Sequence, residues 1–198
     1  AGYNLESSCL DAYHECGIDE IFAGINMPTV FGSGRMIHSY KAVTFDRLAR
    51  HFARAHKMGM KTTFLFNPAC TGGKEWTAGG MHEIIHVTDF INAGHVDSIV
   101  LSHPFLINVF RDLCPDVKIK ISSHYNINDM GKFELFLEHL AVDIVTVSQF
   151  ANKNFKLLRQ VIDRYGPERL EIMCCVPCIA GCPYRQWHAL DFAHSNDM

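Results

Sequence analysis

Several features that would assign a chain to a broad functional class are missing from this sequence. No apolar run reaches the roughly 18 residues that a membrane-spanning helix needs, so no membrane partner is expected. The formal net charge is only −3, which makes a nucleic-acid partner unlikely on electrostatic grounds. There is no G-x-S-x-G nucleophile elbow of the serine hydrolase type. The expected partner is a small-molecule substrate, for reasons given by the candidate site residues below, and a homo- or hetero-oligomer stays open.

The cysteines also lack the even spread of a small secreted disulfide scaffold, and no secretory leader is visible. A reducing, cytoplasmic compartment is therefore expected. Of the 198 residues, 48% are hydrophobic and 20% are charged, which is typical of one globular domain covering residues 1–198. The chain begins with A-G-Y-N and ends soon after a helical pattern, so we interpret it as a segment of a longer protein.

What the sequence does contain is a regular alternation of strand-like and helix-like segments. The strand-like segments are residues 1–4, 19–26, 61–67, 97–103, 117–124, 143–149 and 169–175. Connections of crossover length imply parallel strands with helices packed outside them. An open, doubly wound sheet is one solution. We predict instead a (β/α) TIM-type barrel that is short or incomplete, with about seven strands, because polar residues recur at nearly every strand end.

The predicted strands end on amide and imidazole side chains. These residues are Asn4, Asn26, Asn67, His103, His124 and Gln149. In a parallel barrel all of these ends lie on one face, where barrel active sites are built. We predict a catalytic role for His124 and substrate binding for the other five. The simpler alternative is that Asn26, Asn67 and His103 cap the turns or helices that follow them.

A loop after the last predicted strand concentrates thiols. It contains Cys174, Cys175, Cys178 and Cys182 within nine residues, together with Pro177 and Gly181 and followed by Pro183. Clustered thiolates on irregular backbone are typical of zinc or iron–sulfur centres, so these four are candidate metal ligands. Cys70, on the loop after the strand at residues 61–67, is a candidate additional ligand. The alternative is that these cysteines are free thiols, some of them buried.

Four charged or titratable residues complete the candidate site. Arg35 and Arg185 are predicted to bind an anionic group of the substrate through bidentate contacts, with ordinary surface arginines as the alternative. Glu75 is the candidate general acid or base, and His188 is a candidate proton carrier or metal ligand. The histidines on helical patterns are interpreted as surface residues. They are His51, His56, His82, His86 and His139.

The final loop and helix contain the pattern C-x3-C-P-x-R-x2-H, from Cys178 to His188. Together with Gly2-Tyr3-Asn4, the G-S-G-R at residues 32–35 and the segment from Asn67 to Thr77, this pattern resembles the collagenase-like peptidase U32 family. The resemblance implies a (β/α) barrel, often followed by further domains. It also implies an oxygen-sensitive [4Fe–4S] cluster held by four cysteines, and either oxygen-independent hydroxylation or peptidase activity. Cys178 and Cys182 fall on cysteines of the family pattern.

Three functional hypotheses follow. The first is a metal- or iron–sulfur-dependent enzyme that acts on a small anionic substrate at the carboxyl face of the barrel. The second is a zinc-dependent hydrolase or peptidase, since zinc is the alternative metal for the same thiols. The third is a non-catalytic barrel subunit in which the metal is structural.

Overall fold

The computed structural model describes residues 7–25, 29–31, 34, 42–174, 179 and 182–195. Its centre is one sheet of six parallel strands in the sequential order β1 to β6. The strands are Glu20–Ala23 (β1), Lys61–Phe66 (β2), Ser98–Leu101 (β3), Lys118–Ile121 (β4), Ile144–Thr146 (β5) and Leu170–Glu171 (β6). The helices are Ser7–Glu15 (α1), Phe45–Lys57 (α2), Ala78–Phe90 (α3), Pro104–Leu113 (α4), Met130–Glu134 (α5), Phe155–Tyr165 (α6) and Arg185–Ala193 (α7).

Local sequence signals set where the helices begin. The side chain of Thr44 accepts a hydrogen bond from the Arg47 N–H at the start of α2, and Asn154 accepts one from Leu157 at the start of α6. Each satisfies a backbone donor that has no partner within its helix. Pro104 occupies the first turn of α4, where its missing N–H costs nothing. Thus the helices that follow β1, β3 and β5 each begin at a point fixed by one or two residues.

Strand β4 shows how the two faces of the sheet differ. Its sequence is K-I-K-I, and successive side chains of a strand point to opposite faces. Ile119 and Ile121 are fully buried against the helical layer, where burial stabilises each by about 1.5–3 kcal/mol. Lys120 points the other way, into the concave interior of the sheet, and is only 4% exposed.

The position of the Lys120 ammonium shows that the sheet is curled. Lys120 contacts Glu20 on β1, and its Nζ lies 3.4 Å from Glu171 Oε2 on β6. In a flat sheet, β1 would lie about 14 Å from β4, because neighbouring strands are about 4.8 Å apart. A lysine side chain cannot span that distance. The six strands therefore form a half-barrel whose two edge strands approach each other around Lys120.

This architecture agrees with the predicted incomplete (β/α) barrel, although the described strands number six rather than about seven. The seventh predicted strand, at residues 1–4, lies outside the described residues. The observed strands are also shorter than predicted, because the polar residues that follow them turn away from the sheet. After β4, for example, Ser122 already caps a short 3-10 helix that contains His124. None of the helices in the described ranges combines the length with the apolar composition of a membrane-spanning segment.

Candidate active site

The carboxyl ends of β2, β3 and β4 deliver Asn67, His103 and His124 to the same rim of the half-barrel. This rim, here called the carboxyl rim, is where the sequence predicts the active site. Five of the predicted site residues lie outside the described residues. They are Asn4, Asn26, Arg35, Cys175 and Cys178. Their predicted roles stay predictions.

An open cleft of about 450 Å³ lies over this rim, between the turn after β4 and helix α7. We call it the outer cleft. His124, Cys182 and Arg185 all line it, so three of the predicted site residues meet there although two of them come from the far end of the chain. The other lining residues are Ala69, Tyr125, Asn126, Phe150, Pro183, Gln186, Ala189 and Leu190.

Arg185, at the first position of α7, is held in the outer cleft by three neighbours. Its Nη2 donates to the Ser123 carbonyl oxygen at 3.1 Å, and its Nη1 donates to Asn126 Oδ1 at 3.4 Å. The guanidinium also stacks over the Phe150 ring, 4.8 Å from its centroid. Asn126 can take this place because asparagine tolerates the left-handed conformation, here φ 58°. The guanidinium is thus oriented before any ligand arrives.

A second, deeper cavity of about 190 Å³ runs into the half-barrel beneath the rim. This inner pocket is lined by Asn67 and His124 at its mouth and by Lys120 and Glu171 lower down. Gly34 closes on its mouth, where a Cβ would lie 3.0 Å from both Asn67 Oδ1 and His124 Cε1. Only glycine fits that approach without displacing its neighbours. His124 lines both cavities and therefore marks their junction.

Lys120 is a site residue that the sequence analysis missed. Its ammonium contacts both Glu20 and Glu171, and the Thr63 hydroxyl donates to Glu20 Oε1 at 2.5 Å. Two carboxylates around one ammonium leave this group with a net negative formal charge. The signal was present in the sequence: in a parallel strand covered by helices, the lysines of K-I-K-I must face the barrel interior.

Glu75 and His103 come together at another part of the carboxyl rim. Glu75 Oε1 lies 3.7 Å from His103 Nε2, and Glu75 is only 5% exposed. Within the described part of the chain, neither Glu75 Oε2 nor His103 Nδ1 has a hydrogen-bond partner, although both atoms are buried. Neither residue is among the described residues that line the two cavities. The pair is a candidate proton-transfer group beside the cleft rather than within it.

The remaining predicted residues lie at the margins. His188 is exposed on α7 and stacks on Tyr184, with 6.2 Å between the ring centroids, and is not among the described residues that line the outer cleft. Gln149 is half-buried. Their roles in catalysis and substrate binding stay predictions.

The described thiols do not by themselves make a metal centre. Cys182 lines the outer cleft, Cys174 is exposed, and Cys70 Sγ accepts a hydrogen bond from the Gly72 N–H at 3.3 Å. Among the residues that the structure describes, no three His, Cys, Asp or Glu side chains form a group that can hold a metal ion. A centre on this loop would require Cys175 or Cys178, which are outside that set.

The sequence analysis also missed a motif on α3. His82, Glu83 and His86 form the pattern H-E-x-x-H, and all three line a separate groove near the start of that helix. Both histidines are exposed, as predicted. Glu83 directly follows His82 and completes the H-E-x-x-H pattern. That pattern was the sequence signal that these two histidines could be more than solvated surface residues.

Comparison with known proteins identifies the family to which the sequence is similar. The sequence model of peptidase family U32 matches residues 5–163. The chain is also 25% identical, over 89% of its length, to a protein of Methanocaldococcus jannaschii that is named an uncharacterized protease. The chain spans about half of that relative, 51% of its length.

Solved structures support the fold. A U32 peptidase superposes with a TM-score of 0.77 at 18% identity, covering 98% of this chain and 75% of that one. A D-psicose 3-epimerase, solved in the presence of D-fructose, gives a TM-score of 0.53 at 14% identity, covering 94% of this chain and 74% of that one. At these identities the likeness concerns the fold alone.

Proposed function

The chain belongs to peptidase family U32, and from this premise we propose that it is an enzyme acting on a small anionic substrate at the carboxyl rim of its half-barrel. The observation that carries the proposal is the meeting of Arg185 and His124 in one cleft. Arg185 binds the anionic group of the substrate. His124, at the junction with the inner pocket, exchanges a proton with the part of the substrate that reacts.

The charges that line the two cavities indicate which end of the substrate each cavity would bind. Because Arg185 is already held by Ser123, Asn126 and Phe150, binding an anion to it costs little side-chain entropy. In the inner pocket, Lys120 is paired with Glu20 and Glu171, so a second anion would meet a net negative group. We therefore propose that the anionic end lies in the outer cleft and that a neutral, hydroxyl-bearing end enters the inner pocket.

Ligand-dependent stabilisation tests this proposal. Thermal unfolding of the chain is measured with increasing succinate and, separately, inorganic phosphate. Arg185→Gln is expected to weaken binding about 10- to 100-fold, because a hydrogen bond to a charged group contributes about 1.5–3 kcal/mol.

Arg159→Gln is the matched control, because Arg159 is an exposed arginine on α6. It is expected to leave binding unchanged. Equal weakening by both variants would show that the chain attracts anions only through its general surface charge, and unchanged binding in Arg185→Gln would refute the role of Arg185.

An oxygen-independent hydroxylation or related redox step, with a [4Fe–4S] centre on the Cys174–Cys182 loop, is the reaction class that we propose, and zinc is the alternative metal. The support is the thiol spacing in the sequence. Anaerobic purification followed by iron and sulfide quantification tests this proposal: about four irons per chain are expected for a cluster, whereas zinc alone would contradict it.

Peptide hydrolysis is the second candidate function. It is favoured by the family name, by the name of the Methanocaldococcus jannaschii relative, and by the buried Glu75 beside His103, a pair that can accept a proton from water. Glu75→Gln is then expected to abolish hydrolysis of a peptide library while anion binding persists. If substitution of Cys182 by Ser instead unfolds the domain, a structural metal in a non-catalytic barrel subunit becomes the better account.

A further inference from the structure

The groove that contains the H-E-x-x-H residues lies outside the outer cleft and the inner pocket. It has a volume of about 390 Å³ and is walled by the first turns of α3, by Thr29 and Val30, and by Phe45. His82 and His86 stand four residues apart, so their side chains project from one helix face with Cβ atoms about 6 Å apart. Two imidazoles on such a face can bind one metal ion together.

The helix holds these histidines in a defined arrangement. Thr77 caps α3 by accepting a hydrogen bond from the Gly80 N–H, which fixes the turn just before His82. The His86 ring lies against the Phe45 ring, with 4.3 Å between centroids and an interplanar angle of 38°. Packing on one face of the imidazole restricts its rotamers and leaves its edge directed to the groove. Less ordering entropy is then lost when a metal binds.

Glu83 places a fixed carboxylate beside the two imidazoles. Its Oε2 accepts a hydrogen bond from the Val30 N–H at 2.5 Å. A carboxylate anchored in this way adds negative potential to the groove, which favours a cation.

We propose that His82 and His86 form a two-histidine binding site for a divalent transition-metal ion, with zinc as the metal it would take. Each neutral imidazole supplies one nitrogen at about 2.0–2.1 Å. In the described part of the chain no third His, Cys, Asp or Glu completes a ligand group, so water fills the other positions. The site is assigned metal binding and no catalytic role, because Glu83 Oε2 already accepts a hydrogen bond from the Val30 N–H. It is independent of the anion-binding function.

Cobalt substitution tests the site and separates it from the cysteine loop. The chain is titrated with Co²⁺, and its absorption distinguishes nitrogen-bound from thiolate-bound cobalt, since only thiolates add a ligand-to-metal charge-transfer band. We expect one Co²⁺ bound per chain without that band. A titration of the unsubstituted chain that yields only thiolate-bound cobalt overturns the proposal.

Single substitutions then assign the ligands. His82→Ala and His86→Ala are each expected to weaken nitrogen-bound cobalt about 10- to 100-fold, because one imidazole loses the high effective concentration of the other. His139→Ala, at another exposed helical histidine, is expected to have no effect. Thermal unfolding without metal checks that every variant is folded. Unchanged cobalt affinity in either groove variant overturns the proposal.

Discussion

The carboxylates at the two rims of the half-barrel differ in how many hydrogen bonds they accept. At the amino rim, Asp97 precedes β3 and its Oδ2 accepts hydrogen bonds from the Thr62 N–H at 2.7 Å and from the His56 side chain at 2.9 Å. At the carboxyl rim, Glu75 is more deeply buried, yet its Oε2 has no hydrogen-bond partner among the described residues.

The amino-rim arrangement occurs twice. Asp143, which precedes β5, accepts hydrogen bonds from the Ile119 N–H and from Arg111 Nη2, both at 2.8 Å. In both cases a carboxylate joins the first part of the preceding strand to a basic side chain from the helix before that strand. The two amino-rim carboxylates therefore contribute stability, whereas the buried Glu75 at the carboxyl rim keeps one oxygen without a hydrogen-bond partner among the described residues.

Lys120 lies between the two rims, and its substitution is expected to have the largest effect on stability. Lys120→Met leaves Glu20 and Glu171 facing each other without the ammonium, and both are partly exposed. We expect the free energy of unfolding in urea to fall by about 2–3 kcal/mol. Lys118→Met, an exposed lysine on the same strand face, is expected to change it by less than about 0.5 kcal/mol. Equal effects would mean that the interior ion pairs contribute nothing specific.

The next effect concerns the amino rim itself. Asp143→Asn keeps an acceptor oxygen but removes the charge that strengthens both hydrogen bonds, so a loss of about 1–2 kcal/mol is expected. Urea unfolding measures it. Asp163→Asn, at an exposed position on α6, serves as the control. A loss no larger than that of the control would remove the structural role of this rim.

The pH dependence of stability sharpens the comparison further. Burial alone would raise the pKa of Asp97, but the hydrogen bonds from Thr62 and His56 outweigh it and the pKa lies below its ordinary value. The unfolded chain then binds the proton first as pH falls. The advantage of the wild-type chain over Asp97→Asn is therefore complete above about pH 4 and shrinks below it as the folded carboxylate protonates. Denaturant unfolding of both proteins across that range provides the measurement, and a gap that does not narrow in acid would contradict it.

The smallest expected effect is at Glu75. Glu75→Gln preserves the shape of the side chain and removes a buried charge that lacks a full set of partners within the described structure, so stability is expected to change by less than about 0.5 kcal/mol or to rise slightly. The free energies of unfolding of Glu75→Gln and Asp143→Asn, measured side by side in urea, give the direct comparison. A loss as large as that of Asp143→Asn would erase the difference between the rims.

Much of the fold was predictable because its signals are local. The alternation of strands and helices follows from short apolar runs, caps such as Thr44 and the proline that opens α4. The delivery of Asn67, His103 and His124 to one rim follows from parallel pairing. The curl of the sheet was harder to predict from local sequence signals, since it depends on two edge strands that approach each other only in the folded structure.

The site was predictable where it depends on strand ends and less so elsewhere. Arg185 meets His124 across 61 positions of sequence, and no local pattern specifies the turn at Asn126 that receives it. Lys120 was overlooked because a charged residue in a strand is usually taken as solvent-facing, whereas a strand covered by helices has no solvent face.

The sequential order of the strands has a kinetic consequence. Within the described sheet, every ladder joins strands that are consecutive in the chain, so each ladder can form after one βα unit has closed its own loop. The contact between Lys120 and Glu20 spans 100 residues. Its entropic cost of loop closure is small only after the intervening strands have paired. We therefore expect the Lys120–Glu20 contact to form late in folding, so that its energy slows unfolding more than it speeds folding.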